Sequence, residues 1–211
     1  MLILKASTKK KFETGSGRDR RDELYRQTPQ RICPEKRSAM KRPRIFTVGH
    51  STRSIDEFVE LLGAHGVKGI VDVRSIPRSL HNPQFNSDLL KHFLEQRHIG
   101  YEHIKELGGR RRSRKDSPNS GWRNASFRGF ADYMATAEFS VGLDSLISIA
   151  KERPTAIMCA EAVPWRCHRS LIGDALTKKG WMVRDIMSRN LAVRHFLTPF
   201  LKMRKGLLIY P

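Results

Sequence analysis

Five side chains that can do chemistry lie within eleven positions of one short segment. They are two thiols, a carboxylate, an imidazole and a guanidinium: Cys159, Glu161, Cys167, His168 and Arg169. An apolar run typical of a buried strand, Thr155–Cys159, precedes them, and a helical pattern over Arg166–Lys179 follows. Packing alone does not account for this set, so we predict that this strand-to-helix crossing is the active site.

The two thiols have different expected roles. Cys167 is predicted in the first turn of the helix, between Arg166 and His168, and both a helix N-terminus and neighbouring cations lower the pKa of a thiol. Cys167 is therefore a candidate nucleophile for sulfur transfer or redox chemistry. Cys159 ends an apolar strand, where a free cysteine usually packs as a small hydrophobic side chain. We expect Cys159 to be mainly structural.

The carboxylate and the arginines of this region suggest a second kind of chemistry. Glu161 can act as a general acid, a general base or a nucleophile, and Asp72 could complete a carboxylate pair of the kind glycosidases use. The alternative for Glu161 is a salt bridge to Arg74 or Arg169. Those two arginines, together with the helix N-terminus, predict a site for a phosphate or carboxylate.

A zinc site is the remaining chemical alternative. Cys159, Cys167 and His168, together with His50, are residue types that bind zinc. The sequence has no Cys-x₂-Cys pair, however, and neighbouring Cys and His residues rarely direct both side chains at one ion. We therefore predict no metal and no cofactor.

The pattern around these residues predicts an α/β fold, a single domain whose mainly parallel sheet is flanked by helices. Apolar runs at residues 44–48 and 67–73 indicate strands, and Ser54 and Glu57 form a capping box that begins a helix between them. Gly66 can end that helix in a left-handed turn. Strand–helix–strand order at this spacing is typical of a parallel unit. Further strands are expected at residues 100–104 and 181–186, and a short helix at residues 196–201.

Parallel sheets bind ligands beyond the carboxyl ends of their strands. His50 and Ser51 follow the first strand, while Asp72, Arg74 and Ser79 end or follow the second. We expect both groups to meet the segment after Cys159 in one crevice. Simpler roles also exist: a loop and helix cap for His50 and Ser51, and a structural ion pair for Asp72 and Arg74. The predicted catalytic residues are Asp72, Glu161, Cys167 and His168, and the predicted substrate-binding residues are His50, Ser51, Arg74, Ser79 and Arg169.

The charge of the chain favours an anionic partner. The formal net charge is +19 over 211 residues, and residues 1–44 carry fourteen Lys or Arg against five Asp or Glu. We predict a basic flexible N-terminal arm over residues 1–43, an α/β domain over residues 44–188 and a C-terminal extension over residues 189–211. The arm and a basic loop at Arg110–Arg114 are candidate contacts for nucleic acid. Trp122 and Phe127 near that loop either stack on bases or fold back onto the domain.

The expected cellular location rests on cysteine count, apolar segments and the first residues of the chain. Three cysteines do not make a disulfide framework, and no stretch is apolar over the length that a membrane span requires. The first residues lack the apolar core of a secretory signal. We expect a cytoplasmic protein without membrane contact, and the oligomeric state is left open.

A set of short motifs together resembles the domain-of-unknown-function family 488. The resemblance covers about residues 44–188 and implies a compact α/β domain with these polar loops at its centre, but no particular reaction. It departs from the family pattern at Asp185-Ile186, where a His is expected before the Ile. The motifs are Gly49-His50-Ser51, Asp72-Val73-Arg74 with Pro77 and Ser79, Leu107-Gly108-Gly109, and Cys159-Ala160-Glu161 through Cys167-His168-Arg169.

Three functions fit these residues. The leading one is an enzyme that acts on an anionic substrate, a nucleotide or nucleic acid, by carboxylate-assisted hydrolysis or transfer. The second is a thiol enzyme that uses Cys167. The third is a nucleic-acid-binding module without catalysis, whose affinity would fall steeply with salt.

Overall fold

Short apolar runs separated by helical segments produce a parallel sheet here, as the sequence predicts. The computed structural model describes residues 42–211; the predicted arm lies outside the described residues, apart from its last two positions. The strands are β1 (Arg44–Gly49), β2 (Gly69–Asp72), β3 (Gly100–His103), β4 (Thr155–Cys159), β5 (Met182–Ser188), β6 (Leu191–Arg194), β7 (Lys202–Arg204) and β8 (Leu207–Ile209). The helices are α1 (Ile55–Ala64), α2 (Ser87–Glu95), α3 (Ala125–Tyr133), α4 (Ala137–Glu152) and α5 (Arg169–Lys178), with short 3₁₀ turns at Pro83–Phe85, Lys105–Leu107 and Pro164–Arg166.

The six-stranded sheet has the order β3-β2-β4-β1-β5-β6, and only β6 runs antiparallel to its neighbour. Strand β4 lies between β2 and β1, with Asp72 paired to Met158 and Gly49 paired to Cys159. The three central strands therefore end at nearly the same level. Their following loops must share one edge of the sheet, as expected for a ligand site in a parallel sheet.

Both faces of the sheet are covered, which explains the continuous apolar strands. On one face, α1 and α2 contribute buried side chains such as Phe58 and Leu90. On the other, α3, α4 and α5 contribute Phe130, Leu146 and Leu171. Among the described residues, no helix combines the length and the apolar character needed to cross a bilayer.

Local signals fix most helix ends. The Ser54 hydroxyl accepts a hydrogen bond from the Glu57 backbone N–H, and the Glu57 carboxylate accepts one from the Ser54 N–H, which confirms the predicted capping box. Gly66 has φ +67, the left-handed conformation predicted for the end of α1. The Asn124 side chain caps the start of α3 by accepting hydrogen bonds from the backbone N–H groups of Ser126 and Phe127.

The last part of the chain differs from the expected short helix. Strand β6 joins the edge of the main sheet, while β7 and β8 form a separate two-stranded hairpin. Tyr210 is fully buried, and its backbone N–H donates to the Asn119 side chain. Residues beyond 188 are thus packed into the same body as the sheet.

A buried histidine, His195, joins this last part of the chain to the core. Its Nδ1 lies 3.1 Å from Asp185 and its Nε2 lies 3.1 Å from Asp174. Burial opposes the charged form, but the two carboxylates outweigh burial and raise the pKa of His195 to about 10. The Thr47 hydroxyl and the Tyr210 hydroxyl complete the hydrogen bonds of the two carboxylates.

This arrangement predicts a pH-dependent stability. The pKa of His195 is raised on folding. Its contribution to the free energy of unfolding is therefore complete below about pH 6.5 and is lost as the pH rises toward about 10. His195→Gln should lower the free energy of unfolding by roughly 3–5 kcal/mol at pH 6, since it leaves two buried carboxylates without their cation. Urea unfolding at pH 6 and pH 9 measures both effects.

The exposed His92 provides the matched control for that experiment. His92→Gln should leave both the stability at pH 6 and the pH dependence unchanged. If His195→Gln keeps the full loss of stability between pH 6 and pH 9 seen in the unsubstituted chain, another group is responsible for that dependence.

Candidate functional site

The loop after β2 is organised by a buried ion pair. Asp72 is fully buried and accepts hydrogen bonds from the Arg74 backbone N–H, from the Arg74 guanidinium and from the Tyr101 hydroxyl. The guanidinium also donates to the Phe85 carbonyl, at 2.8 Å. Asp72 thus holds the Arg74 side chain in one orientation. This contact matches the alternative role foreseen for the pair, a structural ion pair beneath the loop.

The turn after β1 places a neutral imidazole beside that guanidinium. His50 is buried, stacks on Phe85 at a centroid distance of 4.2 Å, and has its Nε2 3.4 Å from the Arg74 guanidinium. Burial is the main cause that lowers the pKa of His50 to about 4, with a further contribution from the charge of Arg74. Its Nδ1–H can donate to the Ser51 carbonyl at 2.8 Å. Nε2 of His50 is then a hydrogen-bond acceptor that faces the Arg74 guanidinium.

The same turn lies directly against the loop after β4. The His50 and Ser51 N–H groups donate to the Cys159 and Ala160 carbonyls. A Cβ on Gly49 would lie 1.8 Å from the Glu161 carbonyl oxygen, so only glycine permits this approach. The Gly-His-Ser motif is therefore explained by backbone contact between the two loops.

Arg169 fixes the other side of the loop after β4. Its side chain is 1% exposed, and its two terminal nitrogens donate to the Glu161 and Ala162 carbonyls. Arg169 thereby holds the loop in place from within the protein. The Glu161 side chain itself points to solvent at the mouth of a cavity.

Cys167 and His168 lie just before α5. The predicted helix start at Arg166 is therefore too early: Cys167 has extended backbone angles and His168 is the N-cap residue. Nε2 of His168 lies 3.0 Å from the Val73 carbonyl and 3.1 Å from the Leu107 carbonyl. Two carbonyl acceptors require a hydrogen on Nε2. Nδ1 is then directed at Sγ of Cys167, 3.6 Å away.

Neighbouring groups hold the imidazole in this position. The Phe130 ring packs edge-on against it at 4.9 Å. A Cβ on Gly109 would lie 2.4 Å from His168 Nδ1, so the ring occupies space that only glycine leaves open. The Leu107-Gly108-Gly109 motif thus supplies both a carbonyl acceptor and the space for the ring.

The two thiols face each other and differ in acidity. Burial alone would raise the pKa of Cys167, but a hydrogen bond with Cys159 and the charges of His168 and Arg169 lower it well below its ordinary value. The hydrogen bond with Cys167 and burial raise the pKa of Cys159. Cys159 thus packs with the hydrophobic core and also lies beside Cys167 at the cavity, and its structural role stays a prediction.

These groups line one cavity of about 330 Å³ at the carboxyl edge of the sheet. Cys159, Cys167 and His168 are among its lining residues. One sulfur or nitrogen atom of each lies within 4.8 Å of the others, a spacing that suits a bound metal ion. Four arginines and one carboxylate also line the cavity, namely Arg74, Arg78, Arg110, Arg166 and Glu161.

The structure brings together six of the nine predicted site residues in this cavity. Three do not line it: Ser51 contributes its backbone, while Asp72 and Arg169 support it from behind. Sequence reasoning did not identify Ser75, Arg78 or Arg166 as cavity residues, because isolated loop residues have no periodic pattern. The six are His50, Arg74, Ser79, Glu161, Cys167 and His168.

The basic loop after β3 is anchored to the domain. Asp132 accepts hydrogen bonds from the Arg114 N–H and from the Asn119 and Ser117 side chains. The Trp122 ring is 4% exposed and stacks on Phe127, so it is packed rather than presented to a ligand. This packing corresponds to the fold-back alternative for the loop aromatics.

The buried pair after β2 gives a testable prediction. Asp72→Asn should lower the free energy of unfolding by roughly 3–5 kcal/mol, because it leaves a buried guanidinium without its counter-charge. The control is Asp56→Asn, which breaks the exposed pair with Arg97 and should change stability by less than about 1 kcal/mol. Equal, small effects in urea unfolding would contradict a supporting role for Asp72.

Comparison with known proteins was made on the whole chain. No curated protein and no solved structure was found to match it. The sequence model of a family described as Domain of unknown function DUF488 matches residues 54–176. This range includes Asp72, Arg74, Gly109 and the whole segment from Cys159 to Arg169, and it covers more than half of the chain. The chain therefore belongs to the DUF488 family of domains of unknown function.

Proposed function

We propose that the chain is an enzyme that acts on an anionic substrate, a nucleotide or nucleic acid, by carboxylate-assisted hydrolysis or transfer. The observation that carries the proposal is the lining of the cavity. Four arginines line it together with one exposed carboxylate, Glu161, and with the thiol and imidazole groups of Cys159, Cys167, His50 and His168. A volume of about 330 Å³ is in the range of small-molecule sites.

The arginines supply the binding part of this function. Asp72 and the Phe85 carbonyl occupy Nε and Nη2 of Arg74, so Nη1, on the side of His50, is the nitrogen held in place for a ligand. Arg78 and Arg110 enter the cavity from the loops after β2 and β3. Guanidinium groups bind phosphate oxygens in pairs. The net charge of +19 attracts polyanions over longer distances.

Glu161 supplies the chemical part. In hydrolysis its carboxylate takes a proton from a water molecule while the water oxygen bonds to the electrophilic carbon or phosphorus of the substrate. The bond to the leaving group then breaks, and the leaving group accepts the proton from Glu161. Asp72 cannot share this task from its buried position, and it acts instead as a positioning residue for Arg74.

Thiol chemistry is the second candidate, and one observation favours it. Sγ of Cys167 and Nδ1 of His168 face each other at 3.6 Å inside the cavity, the arrangement of a nucleophile and its base. A nucleic-acid-binding module without catalysis has less support, because the Trp122 ring that would stack on a base is packed inside.

Glu161→Gln tests the leading function directly. It should lower kcat on a responsive nucleotide or oligonucleotide substrate by roughly 10²–10⁴-fold, with little change in KM, since a general base acts in the transition state. Glu152→Gln, at the end of α4 and exposed, is the control and should retain full activity. Unchanged turnover in Glu161→Gln with loss of turnover in Cys167→Ser would favour thiol chemistry.

Arg110→Ala tests the anion site. It should weaken binding of a phosphate-bearing ligand by roughly 1–3 kcal/mol, because charge-assisted hydrogen bonds contribute about that much. The control is Arg123→Ala, an exposed arginine of the same loop region that does not line the cavity. Fluorescence anisotropy with a labelled nucleotide measures both. An equal loss in the two variants would indicate diffuse charge attraction in place of a defined site.

A further inference from the structure

We propose that Cys159, Cys167 and His168 form a zinc site on the floor of the cavity, with its fourth coordination position open to the substrate. The binding of the ion follows from the three side chains themselves. Its use in catalysis rests on the proposed function. The argument depends on the positions of the donor atoms and on the groups that orient them.

The three donor atoms lie close enough together for one ion to be shared, and one of their distances matches tetrahedral zinc. The two sulfur atoms and one imidazole nitrogen lie within 4.8 Å of one another. Sγ of Cys167 and Nδ1 of His168 are 3.6 Å apart. Tetrahedral zinc with bonds of about 2.3 Å to sulfur and about 2.1 Å to nitrogen separates those two ligands by about 3.6 Å. One ion can therefore bond both atoms with little rearrangement.

The imidazole is oriented as a metal ligand usually is. Metal-binding histidines typically donate the N–H of the other ring nitrogen to a carbonyl or carboxylate, which fixes the tautomer and the ring plane. In His168 the Nε2–H faces the Val73 and Leu107 carbonyls. The Nδ1 lone pair is left to face Sγ of Cys167.

The backbone explains how adjacent residues can share one ion. Cys167 is extended, with φ −130 and ψ 143, whereas His168 is in the helical region, with φ −56 and ψ −21. This change of conformation turns both side chains toward the end of β4, where Cys159 lies. The objection drawn from the sequence, that neighbouring Cys and His diverge, therefore does not apply at this helix start.

The charge and composition of the site also favour zinc. Two thiolates and one imidazole are a soft donor set of the kind that zinc prefers over magnesium or calcium. Two thiolates neutralise the two charges of the ion, so a neutral centre can lie beside the cavity arginines without repelling them. Three protein ligands with an open fourth position are typical of catalytic zinc.

Glu161 lines the same cavity as the three candidate zinc ligands. It follows Cys159 by two residues, and its carboxylate is exposed at the same cavity. Zinc nucleobase deaminases place a glutamate two residues after a metal ligand and use it to move protons without binding the ion. A zinc ion held by Cys159, Cys167 and His168 would make a bound water easier to deprotonate, and Glu161, which lines the same cavity, would be the residue to accept that proton.

Metal analysis of the full chain, purified after growth with zinc chloride, tests the proposal. The chain should retain about one zinc ion after dialysis, as a three-ligand site predicts. Cys159→Ser, Cys167→Ser and His168→Asn should each lose it, while Cys33→Ser should keep it. Cobalt chloride added to the zinc-free chain should give thiolate-to-cobalt absorption bands that weaken in either cysteine variant of the site.

A second pair of variants changes the ligand position without removing a ligand. Gly109→Ala places a methyl group against the His168 ring, and it should lower zinc affinity roughly 10–100-fold, as loss of ligand orientation does elsewhere. Gly63→Ala, where nothing lies within 4 Å of the added Cβ, should leave the affinity unchanged. Circular dichroism of each variant shows whether it is folded.

The outcomes separate this inference from the proposed function. Zinc retained in Glu161→Gln with loss of turnover supports both. Zinc retained with full turnover in that variant upholds the site and overturns the role of Glu161. A folded chain that takes up neither zinc nor cobalt, with both thiols open to a disulfide reagent, overturns the site and leaves thiol chemistry as the use of Cys167.

Discussion

Buried charge that must find a partner is the constraint on which the arrangement of this domain depends. Arg74, Arg169 and His195 are each nearly inaccessible to water, and a buried cation without compensation costs several kcal/mol. Each is therefore bound to a different segment: to the start of the loop after β2, to the carbonyls of the loop after β4, and to the acidic residues of α5 and β5. These hydrogen bonds fix the loops after β2 and β4 to the rest of the domain.

This constraint changes the meaning of several motif residues. Asp72 and Arg169 are polar residues beside an apparent crevice, and sequence reasoning assigned both to chemistry with the substrate. In the folded chain their hydrogen bonds are used internally, and they position Arg74 and the Glu161 loop. Gly49 and Gly109 serve the same end by leaving space for a carbonyl oxygen and for an imidazole ring. The site therefore depends on residues such as Asp72, Arg169 and Gly49, which do not line the cavity.

The fold was largely predictable because its signals are local. Apolar runs, the capping box at Ser54 and the glycine stop at Gly66 each act over a few residues, and each is confirmed. The hairpin of β7 and β8 was not foreseen, and the sequence offered the burial of Trp122 only as one of two alternatives, without its packing partners. Trp122 packs against Phe200 and Tyr210, far away along the chain. Such contacts depend on tertiary structure, which periodicity does not encode.

The difference between local signals and tertiary contacts also explains how much of the site was predictable from the sequence. Parallel topology brings the ends of β1, β2 and β4 together, and the predicted convergence of their polar residues in one cavity follows from it. The role of each side chain depends on which way it points. Cys159 ends a buried strand and packs with the core, as the sequence indicates, and as the last residue of that strand it also borders the cavity. One donor atom each of Cys159, Cys167 and His168 lies within 4.8 Å of the others, a proximity that only the folded chain reveals.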